Sequence, residues 1–335
     1  MVRWGYGTEL LAAAVAHFGL FELLARRPLS FEEIGAALGL APRPTNVLVV
    51  ALRAMGLLRG TGTGPSELTP LARDHLVPGG EFYAGDYVAL VAETPGVKNI
   101  VARLRANQPV ESHPDDPGAA FIFRDGIESA MDHEAPARRL TLALAGRARI
   151  VGPALARNYP LPHARRLLDV GGGSGLYAVA LLRANPNLRA VVWDRAEVLK
   201  VARESAERYG VLDRTEFVAG DMFADPVPPG CDVMLLSNVL HDWDVPECRR
   251  IVNRLAPALP AGGRVLIHDV FLNDSLDGPL PVALYSAALF GVTEGRAYSA
   301  AEYRGMLAGA GLEPGGVVPT LVHCGVLPGV KRHPG

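Results

Sequence analysis

The chain has 335 residues, 49% hydrophobic and 20% charged, with a formal net charge of −2 and a sequence pI near 6.5. That balance gives no electrostatic footprint for nucleic acid or an anionic membrane as principal partner. Its three cysteines, Cys231, Cys248 and Cys324, form no CxxC pair, which argues against a disulfide framework or a zinc ribbon. At about 100–200 residues per domain, the length predicts two domains.

The first part covers 1–80. Leu10 to Leu24 is apolar, but Glu9 precedes it, His17 and Glu22 lie within it, and it is shorter than the ~20 residues of a membrane span. A buried or subunit-interface helix is expected there, in a cytoplasmic protein. Ser30-Phe31-Glu32-Glu33 spells a capping box that starts a helix ending near Gly39. Pro42 and Pro44 are expected to break the chain before a second helix, Asn46 to Met55. Two short strands around the Gly60–Ser66 run complete a hairpin. Helix, helix, hairpin is the order of a winged helix. The second helix offers only Arg53 to a DNA groove, so packing or dimerisation is expected rather than DNA reading.

The second part, 81–160, predicts helices over Asp86–Ala92, Asn99–Ala106 and Glu134–Asn158, the last kinked or split by Pro153. Gln108–Gly118 carries three prolines and is expected to be a loop. The third part, 161–335, alternates strands and helices. Strands are predicted at Arg166–Val170, Arg189–Trp193, Thr215–Val218, Cys231–Leu236 and Arg264–Ile267, with helices at Tyr177–Asn185, Ala196–Tyr209 and Pro246–Leu259. The fold class is therefore α/β, a doubly wound parallel sheet covered by helices on both faces.

Chemistry gathers where these strands end. Gly171-Gly172-Gly173-Ser174-Gly175 follows a strand and opens a helix, and Asp194 ends the next strand about twenty residues on. Gly173-x-Gly175-x-x-Ala178 with Asp194 fits NAD and S-adenosylmethionine equally. Gly220-Asp221-Met222-Phe223, after the third strand, favours the latter. Asp221 is placed to accept from an adenine amino group and Met222 to pack on the ring. Leu240-His241-Asp242-Trp243 falls just past the fourth strand, where open α/β sheets bind ligands. Asp269, expected to end the fifth strand, is on the same edge and could hold the His241 imidazole.

In this order, Leu-Asp-Val-Gly-Gly-Gly-Ser-Gly, Gly-Asp-Met-Phe, Leu-His-Asp-Trp and Pro-x-Gly-Gly-x-Val resemble the S-adenosylmethionine-dependent O-methyltransferases of the plant caffeate and bacterial polyketide type. Glu247-Cys248 fits as well, and the likeness covers nearly the whole chain. It implies a class I methyltransferase Rossmann-like domain behind a winged-helix domain that forms a homodimer. It also implies Gly171, Gly173 and Gly175 at the methionine end of the cofactor, Asp194 on ribose, Asp221 and Met222 on adenine, and Ser237 nearby. His241 would be the general base, Asp269 its orienting carboxylate, reaching it only if the loop moves in, and Asp242 a contact to the substrate hydroxyl. One departure stands out. Where the family carries a second Glu, this chain reads Ala297, which predicts a base flanked by one carboxylate. The expected acceptor is a small aromatic molecule, walled by residues of 81–160 and Leu280–Thr293. Carbon or nitrogen methylation, and non-methylating chemistry on the same fold, stay open at this point.

Overall fold

The computed structural model describes residues 6–108 and 130–332. All of the Gln108–Gly118 run except Gln108 lies outside them. The described chain forms two compact units, 6–108 with Leu272–Ser299, and 130–271 with 300–332.

The first unit opens with α1 (Tyr6–Ala12), extended by a π turn over Ala13–His17, and α2 (Leu20–Arg26). The single helix expected over Leu10–Leu24 is thus two, bent by 63° at Gly19, whose φ of 55° suits glycine. Their apolar face, with Leu10, Leu20, Phe21 and Leu24, is buried. No single helix among the described residues is long and apolar enough to cross a membrane. Next comes α3 (Phe31–Leu38), with both hydrogen bonds of the Ser30–Glu33 capping box formed and Gly39 in the left-handed region at its end.

The following helix, α4 (Pro42–Ala54), starts four residues earlier than expected. Pro42 and Pro44 sit in its first turn, where a missing N–H costs nothing, so they begin the helix rather than precede it. Every residue from Arg43 to Arg53 is buried, which leaves no face for a DNA groove. Strands β1 (Leu58–Arg59) and β2 (Glu67–Leu68) pair antiparallel. Arg53 holds this hairpin, donating to the Gly62 and Gly64 carbonyls at 2.6 and 3.2 Å and to Ser66 Oγ at 2.7 Å. Then come α5 (Pro70–Leu76), α6 (Gly85–Ala89) and α7 (Pro95–Ala106).

The second unit begins with α8 (Glu134–Asn158), which runs unbroken through Pro153. Proline deletes one backbone hydrogen bond there, while buried Val151, Gly152, Ala154 and Leu155 pack the helix on both sides of it. The strands β3 (Arg166–Val170), β4 (Arg189–Asp194), β5 (Thr215–Ala219), β6 (Val233–Ser237) and β7 (Arg264–Leu272) alternate with α9 (Leu176–Ala184), α10 (Ala196–Arg208) and α11 (Val245–Ala258). Near-continuous apolar runs such as Ala190–Trp193 and Val233–Leu236 suit strands covered on both faces.

Helix α12 (Leu280–Val292) and β8 (Tyr298–Ser299) return to the first unit, where Arg43 on α4 donates to the Thr293 and Gly295 carbonyls. The chain then adds α13 (Ala300–Gly309), β9 (Leu312–Pro314), β10 (Val318–Leu321) and β11 (Cys324–Lys331) to the second unit. The strand order is β10-β11-β7-β6-β3-β4-β5, parallel from β7 to β5, with β11 antiparallel to β7. These antiparallel strands carry Pro314, Pro319 and Pro328, which remove ladder donors and obscure the alternation that marks strands in sequence.

Candidate active site

β3, β4, β5 and β6 are parallel neighbours, so their carboxyl ends share one edge of the sheet within the second unit. At the end of β3, Gly171, Gly173 and Gly175 have φ values of 60°, 56° and 70°, conformations that side chains other than glycine's disfavour. A Cβ on Gly171 would stand 3.2 Å from Val239 Cγ2, and one on Gly175 would stand 3.3 Å from Ala202 Cβ. A Cβ on Gly173 would meet nothing within 4 Å. The outer two glycines are therefore fixed by protein neighbours, and the middle one faces open space.

Asp194, at the end of β4, closes this turn. Its Oδ2 accepts from the Gly173 N–H at 2.8 Å and its Oδ1 from the Arg195 N–H at 2.7 Å. Each oxygen keeps a second lone pair for a ligand hydroxyl. Beneath the turn lies Asp169, a residue that sequence reasoning passed over although it stands in the Leu-Asp-Val run. Its Oδ2 is buried without a hydrogen-bond partner, and burial, with the Asp194 charge adding, pushes its pKa up to about 7.

The loop after β5 is held from behind. Phe223 N–H donates to Asp221 Oδ1 at 2.8 Å, while Arg195 Nη2 stands 3.5 Å from Asp221 Oδ2. Arg254 Nε donates to the Met222 carbonyl at 2.9 Å and Arg250 Nη2 to the Phe223 carbonyl at 3.0 Å. These arginines lie four apart on one face of α11, a spacing legible in sequence that the motif search did not use. Ser237, at the end of β6, is bonded through Oγ to His268 Nδ1 at 2.8 Å and accepts from Asn238 Nδ2 at 3.2 Å.

His241 sits in a short 3₁₀ turn, Leu240–Asp242, two residues past Val239, which packs on Gly171. The turn is pinned by Cys248, whose thiol donates to the Leu240 and Trp243 carbonyls at 3.1 and 3.4 Å. Trp243 stacks edge-on to Phe223, which ties this turn to the β5 loop. The His241 side chain is 5% exposed, and its Nδ1 lies 2.7 Å from Asp269 Oδ1. Asp269 was expected at a strand end, reaching His241 only by a loop movement. It lies instead inside β7, which runs on to Leu272, and reaches directly because β7 neighbours β6, the strand that leads into the His241 turn.

Asp269 is further bound by the Val270 N–H at 2.8 Å and the Tyr303 hydroxyl at 3.2 Å. Tyr303, on α13, had no local sequence signal. The expectation of a single flanking carboxylate is also corrected, because Asp242 Oδ1 stands 3.7 Å from His241 Nε2. Burial pulls the His241 pKa down, but Asp269 and Asp242 together raise it above its ordinary value. Burial works to raise the Asp269 pKa, and the adjoining His241 outweighs it and holds the carboxyl below its usual range. Half-buried Asp242 is pushed up to about 6, mainly by partial desolvation of its carboxyl. Ala297, buried in the first unit, contributes no acid.

Comparison with known proteins identifies this arrangement. The O-methyltransferase domain profile matches residues 121–313. The 3-hydroxy-5-methyl-1-naphthoate 3-O-methyltransferase of Streptomyces sahachiroi is 36% identical over 91% of this chain and 85% of its own length. An O-methyltransferase family 2 protein from Planctomyces limnophilus, solved with apigenin, superposes with a TM-score of 0.86 at 47% identity, covering 97% of this chain and 92% of that one. PigF, solved with SAH, shares the fold, with a TM-score of 0.61 at 24% identity over 97% of this chain and 96% of that one.

The chain belongs to the O-methyltransferase family. It is an S-adenosylmethionine-dependent enzyme that methylates a hydroxyl group. The residues present fit such a cofactor: no atom lies within 4 Å of where a Gly173 Cβ would stand, and each Asp194 oxygen accepts a single backbone N–H.

Proposed function

We propose that the hydroxyl is phenolic, carried by a small aromatic, polyketide-like acceptor, and that His241 is the general base. The observation that carries this reading is the 2.7 Å contact between His241 Nδ1 and Asp269 Oδ1. It fixes the ring and directs proton uptake to Nε2. Bound S-adenosylmethionine supplies an electrophilic methyl group, so the protein's task is to position and deprotonate. Gly171, Gly173 and Gly175 admit the cofactor's backbone approach, Asp194 receives its ribose, Asp221 and Met222 its adenine, and Ser237 stands beside them. Asp269, steadied by Tyr303, keeps the His241 tautomer with hydrogen on Nδ1. A phenol has a pKa of about 10 and an imidazole of about 6.5, a usable match at neutral pH.

A relative named for methylating a naphthoate and a similar structure solved in complex with apigenin support an aromatic acceptor. Along the chain, 1–80 serves dimerisation, 81–160 the acceptor and 161–335 the cofactor, in a cytoplasmic homodimer. The test is methyl transfer to a panel of phenolic acceptors. His241→Ala is expected to lose about 10²–10⁴ in rate while retaining S-adenosylhomocysteine affinity.

A further inference from the structure

The two carboxylates beside His241 differ in everything except their distance from an imidazole nitrogen. Asp269 is 1% exposed and is bound by the His241 Nδ1–H, the Val270 N–H and the Tyr303 hydroxyl. It is a fixed anchor. Asp242 is 33% exposed and lies next to His241 in the same turn, with Oδ1 3.7 Å from Nε2. That is too long for a hydrogen bond to a neutral ring, but close enough for strong attraction to a charged one. Nε2 is the nitrogen on which a base anchored through Nδ1 acquires its second hydrogen.

We propose that Asp242 is the second carboxylate of the base, a positioning residue that compensates the charge formed at His241 Nε2 when the acceptor's proton arrives. This rests on His241 being the base. In the step itself the acceptor O–H bond breaks to Nε2, the O–CH3 bond forms and the S–CH3 bond of the donor breaks. His241 becomes imidazolium between two carboxylates, and the proton later passes to solvent. The position that Ala297 leaves without an acid is thus not needed for a two-carboxylate base. The turn carrying His241 brings its own.

The charged and titratable groups around the pair come from several elements. They are Asp269 and His268 on β7, Arg147 on α8, Cys324 on β11 and Tyr303 on α13. Arg147 opposes the imidazolium and favours both carboxylates in their charged form. Asp269 and Asp242 are therefore the groups that favour it. Neutralising Asp242 removes one of these two counter-charges, and the imidazole becomes easier to deprotonate and a weaker base.

The experiment is an NMR titration of the His241 ring in the complex with S-adenosylhomocysteine, paired with the pH profile of kcat/KM, for wild type, Asp242→Asn, Asp242→Ser and Asp242→Glu. Both neutral variants are expected to shift the ring titration and the acid limb to lower pH together. Plateau kcat should fall by tenfold or more, with acceptor KM within about threefold. Asp242→Glu should restore most of both. A titration midpoint that does not move, with acceptor KM raised instead, overturns the proposal in favour of a plain contact to the substrate hydroxyl. That failure is distinct from failure of the base assignment, which shows as full activity in His241→Ala.

Discussion

His241 has one ring nitrogen 2.7 Å from Asp269 and the other 3.7 Å from Asp242, so with His241 as the proposed base its titration would govern activity. The active form of a base is the unprotonated one, and its pKa is raised by its two neighbours. Activity should therefore fall as pH drops through a midpoint above the ordinary imidazole value of about 6.5, which a kcat/KM profile measures. Asp269→Asn removes the buried counter-charge and should move that limb downward while lowering the plateau. Asp169 behaves differently. Its folded pKa of about 7 exceeds its ordinary value, so the folded protein binds a proton that the unfolded chain releases. Stability is lost as pH rises from about 4 to about 7. Asp169→Asn in the cofactor-free protein should raise Tm at pH 8, with the gain vanishing at low pH where the carboxyl is protonated in both states. A gain that persists at low pH would refute this reading.

At the scale of elements, the glycine turn and the base turn are the working parts. Gly173 faces open space but has a φ of 56°. Gly173→Ala should cost about 1–2 kcal/mol of stability from backbone strain alone and weaken S-adenosylhomocysteine binding beyond that. Isothermal titration beside thermal denaturation separates the two effects. In the first unit, Arg53→Ala removes a buried cation bound to Gly62, Gly64 and Ser66, and should destabilise by about 2–4 kcal/mol. Much at this scale was legible. The Ser30 capping box and the strands β3 to β6 announce themselves through local spacing and through apolar runs bounded by turns. The elements misjudged were those where proline or glycine had two meanings. Pro42 started a helix, Pro153 did not split one, and Gly19 divided one.

For the whole molecule, legibility fell with sequence separation. The candidate residues were legible where they follow a parallel strand, but Asp269 lies inside β7 and Tyr303 on α13. The Asp269–His241 contact, 28 residues apart, was anticipated because both were read on the same edge of the sheet, whereas Tyr303, 34 residues from Asp269, was not. No local pattern records the latter contact. The same holds for Leu272–Ser299, which joins the N-terminal unit through contacts such as Arg43 to Thr293, 250 residues apart. The near-zero net charge accords with a small acceptor rather than a polyanion. Sedimentation equilibrium should give twice the chain mass if the enzyme is the homodimer proposed.

The most direct test is product mass after incubation with methyl-deuterated S-adenosylmethionine and phenolic acceptors, run side by side for wild type and His241→Ala. Wild type should yield the acceptor carrying one deuterated methyl on oxygen, and His241→Ala should lose about 10²–10⁴ in rate. Wild-type turnover by His241→Ala, or deuterated methyl found only on carbon or nitrogen, would contradict the phenol-methylating, histidine-based mechanism.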